Sequence, residues 1–143
     1  MSKVIYTAEA HVTGGRAEGH GKTSDGALEV DLRQPTELGG EGGGTNPEQL
    51  FAVGYAACFE STIGAVARRR KLDAGDVEID SKVLLNPGED RGFVLSVELD
   101  VTLPSIEGDV AAEIVRDAHK ACAYSNATRG NIEVTLTANG APV

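Results

Sequence analysis

Residues 46–72, NPEQLFAVGYAACFESTIGAVARRRKL, read as one long helix with a cysteine, Cys58, near its middle. Asn46 suits the N-cap, Pro47 the first helical position, and Gln49 stands where a capping-box partner belongs. From Leu50 to Val66 nearly every residue is apolar or small, the pattern of a helix buried nearly all round. Glu60, Ser61 and Thr62 interrupt that run, so it is expected to fall short of a membrane span. Arg68, Arg69, Arg70 and Lys71 complement the negative end of the helix dipole and return the chain to water. The expectation is a core helix with the other elements packed around it.

Upstream, Val4–Val12 alternates loosely and predicts a strand, and Gly14-Gly15 makes a turn that delivers Arg16. Short strands follow around Gly19–Thr23 and Ala27–Leu32, separated by the turn Ser24-Asp25-Gly26, giving an antiparallel meander. Residues 33–45, RQPTELGGEGGGT, hold five glycines. They run into a helix N-terminus as a phosphate-cradling loop does, but no Gly-Lys-Ser/Thr is present and Glu37 and Glu41 would repel an anion. A flexible flap over a site near the helix is the expectation.

Downstream, Val77–Leu85 and Phe93–Leu103 alternate cleanly, with Phe93, Leu95, Val97, Leu99, Val101 and Leu103 on one face. The turn residues 86–90 between them predict a hairpin with one face buried. A second helix is expected from about Glu107 to Ala121. Val110, Ile114, Ala118 and Cys122 recur on its inward stripe, and Ser125-Asn126 ends it. Ile132–Thr137 makes a last strand. Strands around two helices without βαβ alternation give an α+β fold, and 143 residues without repeats or linkers give one domain, residues 1–143.

The net charge of -9 argues against a nucleic-acid partner. The N-terminus lacks the apolar segment of a signal peptide, so a cytoplasmic protein with no membrane partner is expected. In that reducing compartment the two cysteines are either inert core thiols or a redox pair. Their helices could bring them within bridging range, which spacing does not decide. His119-x-x-Cys122 is half a metal site with no second ligand pair, and there is no Cys-x-x-Cys. A reactive thiolate mid-helix needs a cation, and arginine is the natural one. Arg16, Arg33, Arg91 and Arg129 are all candidates that composition does not separate.

The run from Asn46 through Cys58 to Ser61, together with Ala121-Cys-Ala-Tyr-Ser-Asn-Ala-Thr-Arg-Gly-Asn131, closely resembles the organic hydroperoxide resistance proteins, the Ohr branch of the Ohr/OsmC family. The likeness covers essentially the whole chain, including Gly14-Gly15-Arg16 and the glycine-rich loop. One departure is Ala123, where the Ohr pattern usually has proline. The resemblance implies antiparallel sheets wrapped around two central helices, in an intertwined homodimer. It implies a thiol peroxidase that reduces organic hydroperoxides, fatty-acid hydroperoxides among them, with no haem, metal or flavin cofactor. Cys58 matches the peroxidatic cysteine, Cys122 the resolving one, and Arg16 and Glu48 the charged pair that activates the thiolate. The implied reductant is a dithiol, dihydrolipoamide on lipoylated proteins. Phe51, Tyr55 and Phe59 are candidate walls for an alkyl chain, although core packing explains them equally well.

Glu48 and Cys58 are ten residues apart on one predicted helix. That is ~15 Å of axis, so Glu48 is expected to serve the Cys58 of a second chain. Two alternatives stay open: an OsmC-like peroxidase with a different peroxide preference, and a non-catalytic small-molecule binder on the same fold.

Overall fold

In the computed structural model, which describes residues 3–90 and 92–143, short polar and glycine-spaced segments build the first of two compact units, Met1–Leu50. Arg91, one of the candidate arginines, lies outside the described residues. Strands β1 (Ala10–Thr13), β2 (Glu18–Thr23) and β3 (Glu29–Arg33) form an antiparallel meander with β2 in the middle. Gly14 turns β1 into β2 at a φ of 76°, and a Cβ there would sit 2.2 Å from the Glu18 carbonyl oxygen, so only glycine fits. β1 is shorter than the predicted Val4–Val12. Its last pair is Ala10 with Thr23, where β2 ends in its turn, and no strand remains to hold the residues before Ala10. Val4, Ile5 and Tyr6 are exposed as a result.

The glycine-rich loop contains one turn of 3-10 helix, Thr36–Leu38. Gly40 and Gly42 donate their amides back to the Pro35 and Gln34 carbonyls. Thr45 bonds both Asp31 and Arg33, so the segment expected as a flap is tied to β3 at its far end.

Helix α1 runs unbroken from Pro47 to Arg69. Asn46 caps it as predicted, its Oδ1 accepting the Gln49 amide at 2.8 Å. The second unit, Phe51–Val143, continues with β4 (Glu78–Pro87), β5 (Phe93–Thr102), α2 (Gly108–Ala121), α3 (Ala123–Thr128), β6 (Val134–Ala138) and β7 (Ala141–Pro142). The sheet order is β4-β5-β6-β7. β4 and β5 are the predicted hairpin, but β6 lies parallel to β5, so this sheet is mixed rather than antiparallel. The helical crossover through α2 and α3 brings the chain back to run in β5's direction. The fold is α+β, with two sheets and three α-helices among the described residues.

The alternating face of β5 is buried as predicted at Val97, Leu99 and Val101, while Phe93 at its start is exposed. These residues pack with Tyr55, Phe59 and Ile63 of α1 and Ile114, Val115 and Ala118 of α2 in one core. Val110 falls outside the α2 stripe, which is Ala111, Ile114, Val115, Ala118 and then Cys122. Helix α1 corrects a larger expectation. Only Tyr55, Phe59, Ile63, Val66 and Ala67 are buried on it, and Val53 is 71% exposed. It packs one stripe, and on a second, mostly small-residue face Val53, Ala57 and Ser61 are exposed. By length and composition it is also long and apolar enough to cross a membrane, because Glu60, Ser61 and Thr62 bring only one charge into the run. Its packed stripe gives that apolar character a use within the core.

Candidate active site

Two groups of predicted residues come together, one in each unit. In the second unit, Cys58 projects from the middle of α1 and Cys122 sits between α2 and α3. The Cys122 thiol donates to the Cys58 sulfur across 3.5 Å, and neither is bonded in a disulfide. Cys122 breaks the helix, with extended backbone angles (φ -67°, ψ 131°) that cap both the end of α2 and the start of α3. Ser125 and Asn126 therefore belong to a new helix rather than to the end of the old one. Ala123 is the first residue of α3, the position proline favours, and the break at Cys122 forms with alanine there.

The two thiols differ in setting. Cys122 is fully buried, whereas Cys58 is partly exposed. Burial pushes the Cys122 thiol pKa up; the Ser125 and Tyr124 amides pull it the other way, and its bond to the Cys58 sulfur adds to the rise. Cys122 thus holds its proton and offers it to Cys58. That arrangement suits a reacting sulfur at 58 and a protonated reserve at 122.

A buried polar network lies behind them. The Tyr55 hydroxyl meets Ser125 Oγ at 2.7 Å and Thr128 Oγ1 at 3.3 Å, and His119 Nδ1 meets the same Ser125 Oγ at 2.9 Å. Desolvation, and then the charge of Arg129, push the His119 pKa down, so it sits there as a neutral imidazole. His119 is engaged with Ser125, and no cluster of three or more His, Cys, Asp or Glu that could hold a metal occurs among the described residues.

Of the predicted apolar walls, Tyr55 and Phe59 are fully buried core residues. Phe51 instead reaches a cavity of about 570 Å³, lined also by Phe93, Leu95, Tyr124, Ala127 and Ile132. Gly54 makes room for Tyr124, since a Cβ there would lie 2.7 Å from its hydroxyl. The Tyr124 ring stands 5.9 Å from Phe51 and 5.6 Å from Tyr55, aromatic contacts that fix one wall of the cavity.

Cys58 opens on its other side into a shallow recess with Ser61, Thr62, Ala65, Ala121, Arg68 and Arg69. The basic run is thus divided. Arg70 pairs with Glu113 at 3.3 Å and Asp117 at 2.6 Å on α2, while Arg68 and Arg69 turn to the cysteine's side. The spacing held this signal: Arg69 is eleven residues after Cys58, three helical turns, and so shares its face. The network residues Ser125 and Thr128 gave no such signal, because the break at Cys122 re-aims them.

In the first unit, Arg16 and Glu48 form a two-pronged ion pair. Nη1 meets Oε1 at 2.9 Å and Nη2 meets Oε2 at 3.2 Å. The Glu48 carboxylate raises the Arg16 pKa further, so the guanidinium is permanently charged and held in one plane.

A family description, OsmC-like protein, matches residues 40–137, which include both cysteines. The chain belongs to the OsmC/Ohr family. It is 54% identical over 139 residues to the organic hydroperoxide resistance protein of Xanthomonas axonopodis pv. citri, covering 94% of this chain and 95% of that one. The crystal structure of an organic hydroperoxide resistance protein from Legionella pneumophila superposes with a TM-score of 0.91 at 49% identity, over 95% of this chain and 98% of that one. That of OhrB from Bacillus subtilis does so with a TM-score of 0.86 at 42% identity, over 94% and 99%. The family resemblance read from the cysteine motifs is therefore correct, and so is the OsmC/Ohr-like fold.

Proposed function

We propose that this OsmC/Ohr family member is a cysteine peroxidase that reduces organic hydroperoxides to alcohols. The observation that carries the reading is the 3.5 Å approach of a partly exposed thiol to a buried, protonated one. The Cys58 thiolate attacks the terminal peroxide oxygen; an S–O bond forms, the O–O bond breaks, and the alkoxide leaves to take a proton. Cys122 then attacks the sulfenic sulfur, giving a Cys58–Cys122 disulfide and water before the sulfur climbs to sulfinic acid. A dithiol of the dihydrolipoamide class reopens the bridge by exchange. Phe51, backed by Tyr55 and Phe59, offers the apolar wall for the substrate's chain.

The unbroken course of α1 keeps Glu48 ~15 Å along the axis from its own Cys58, which supports a homodimer in which Arg16 and Glu48 complete the partner's site. The small-residue face of α1 left open in one chain supports the same reading. The test is loss of free thiols on stoichiometric addition of cumene hydroperoxide. Both thiols should disappear in the wild type and none in Cys58→Ser, whereas Cys122→Ser should stop at a sulfenic acid with one equivalent of peroxide and reach a sulfinic acid, visible by mass, with a second. Thiol loss in Cys58→Ser, or a disulfide that leaves Cys122 free, would remove the reading. A binder without turnover would lose no thiol at all.

A further inference from the structure

Ser125 stands three residues past Cys122 and is fully buried within the chain. Its amide and that of Tyr124 are turned toward the Cys122 sulfur. Its hydroxyl is held from two sides, by the Tyr55 hydroxyl at 2.7 Å and by His119 Nδ1 at 2.9 Å. Tyr55 precedes Cys58 on α1 by three residues, and His119 on α2 precedes Cys122 by three. One holder therefore stands within a turn of each cysteine. Helix α3, which carries Ser125, has six residues, too few to be stable alone in water. Ala123 at its start leaves free a φ that a proline ring would fix. The place of the Cys122 sulfur thus leans on what α3 is tied to.

The protons of the network run one way. Thr128 Oγ1 donates to the Tyr124 carbonyl at 3.0 Å, so it accepts from the Tyr55 hydroxyl at 3.3 Å. Tyr55 spends its one hydroxyl proton there and accepts from Ser125, and Ser125 in turn accepts from His119. The four contacts are satisfied together only in this order, which puts the proton of the neutral imidazole on Nδ1. We propose that Ser125 is the positioning residue for the resolving step: anchored by Tyr55 and His119, it keeps Cys122 in reach of a Cys58 sulfenic acid and so sets how often that acid is captured before a second peroxide oxidises it. In the capture an S–S bond forms, the sulfenic S–O bond breaks, and the Cys122 thiol proton leaves with the oxygen as water. The assignment rests on the reading of Cys58 as the peroxide-reducing thiol. Ser125 itself touches neither peroxide nor sulfenic oxygen.

The experiment follows the reduced full chain with cumene hydroperoxide and reads two quantities. They are the rate of peroxide consumption in the first turnover and, at a fixed excess, the ratio of disulfide to sulfinic acid by mass. Ser125→Ala should leave the first rate at the wild-type value and lower the ratio about tenfold, the scale of one lost buried hydrogen bond. His119→Ala should lower it in the same direction, whereas His119→Asn, which keeps an N–H near the place of Nδ1, should stay close to the wild type. Val101→Ala, which loosens the core at a buried site on β5, should not move the ratio. Nitrogen NMR of the wild-type imidazole should show His119 protonated on Nδ1 at neutral pH, a readout that stands even if Ser125→Ala does not fold. A wild-type ratio in Ser125→Ala, an equal fall in Val101→Ala, or a His119 proton on Nε2 overturns the assignment and leaves the peroxidase intact. If the wild type consumes no peroxide, the peroxidase reading itself fails and takes the assignment with it.

Discussion

Among the described residues, the first unit buries one large hydrophobic side chain, Leu32, whereas the connected core cluster lies entirely within residues 51–143. The functional pairs follow the same division. The sulfurs are placed by packing, each fixed by a helix seated on a sheet. The Arg16–Glu48 pair joins the β1–β2 turn to the first turn of α1, beside a meander whose Val12 is exposed, as are Val4, Ile5 and Tyr6 before it, and it is held by its own two-pronged geometry. A half-exposed pair of this kind is worth about 1 kcal/mol, too little to organise a unit. In the proposed dimer, a second chain would give this sheet a surface to pack on. The largest expected effect breaks this contrast most directly. Ile63→Ala empties a fully buried site and should cost about 2–5 kcal/mol in urea unfolding. Val12→Ala in a dilute single chain should stay within about 0.5 kcal/mol of wild type. A larger loss for Val12→Ala that grows with protein concentration would locate the missing surface in a second copy.

The next effect tests the charged pair through chemistry rather than stability. Arg16→Ala should slow peroxide attack at Cys58 by about tenfold, equivalent to about 1.4 kcal/mol of barrier. Arg16→Lys should recover part of that, because an ammonium supplies charge without the planar fork that Glu48 grips. Single-turnover thiol loss measures both. An unchanged rate in Arg16→Ala would detach the first unit from the reaction.

Much of this was legible in the sequence, and the limits were physical. Asn46, Pro47 and the apolar run located α1, and the period-2 pattern located the β4–β5 hairpin, because cap chemistry and alternation are local signals. The cysteine motifs carried the family. Burial around α1 was not legible: small apolar residues look alike whether they meet this chain's core or nothing within it. The parallel pairing of β5 with β6 was set by the helical crossover, not by either strand's composition. The network under the cysteines was hidden by one pair of backbone angles at Cys122, which turned an expected helix terminus into the start of α3. Tyr55 shows the consequence. Read as a substrate wall, it also ties α1 to α3 through Ser125 and Thr128. Tyr55→Phe should therefore cost about 1–2 kcal/mol of stability, since it strips a partner from buried hydroxyls without opening a cavity. No measurable change on unfolding would mean that the hydroxyls find each other without it.

The smallest effect separates the units by the sign of a titration. His20 lies on the surface of the meander between Asp31 and Glu29, 2.9 Å from each. Its hydrogen bond to Asp31 first, and that to Glu29 next, raise its pKa. His119 in the second unit is lowered, by burial first and Arg129 second. Both start from about 6.5 in the unfolded chain, so the two act in opposite directions. The His20 contribution is fully present below that value and fades as pH rises through its raised folded pKa. That of His119 is present above it and fades as pH falls toward its lowered one. Imidazole signals followed by NMR should give midpoints on either side of 6.5, His20 above and His119 below. In urea unfolding, His20→Gln should flatten the loss of stability on the neutral side, and His119→Gln the loss on the acid side. Coincident midpoints would mean that Ser125 and the burial around it leave His119 as free to take a proton as a histidine held between two carboxylates, and the contrast between the two halves of the chain would then be one of packing alone.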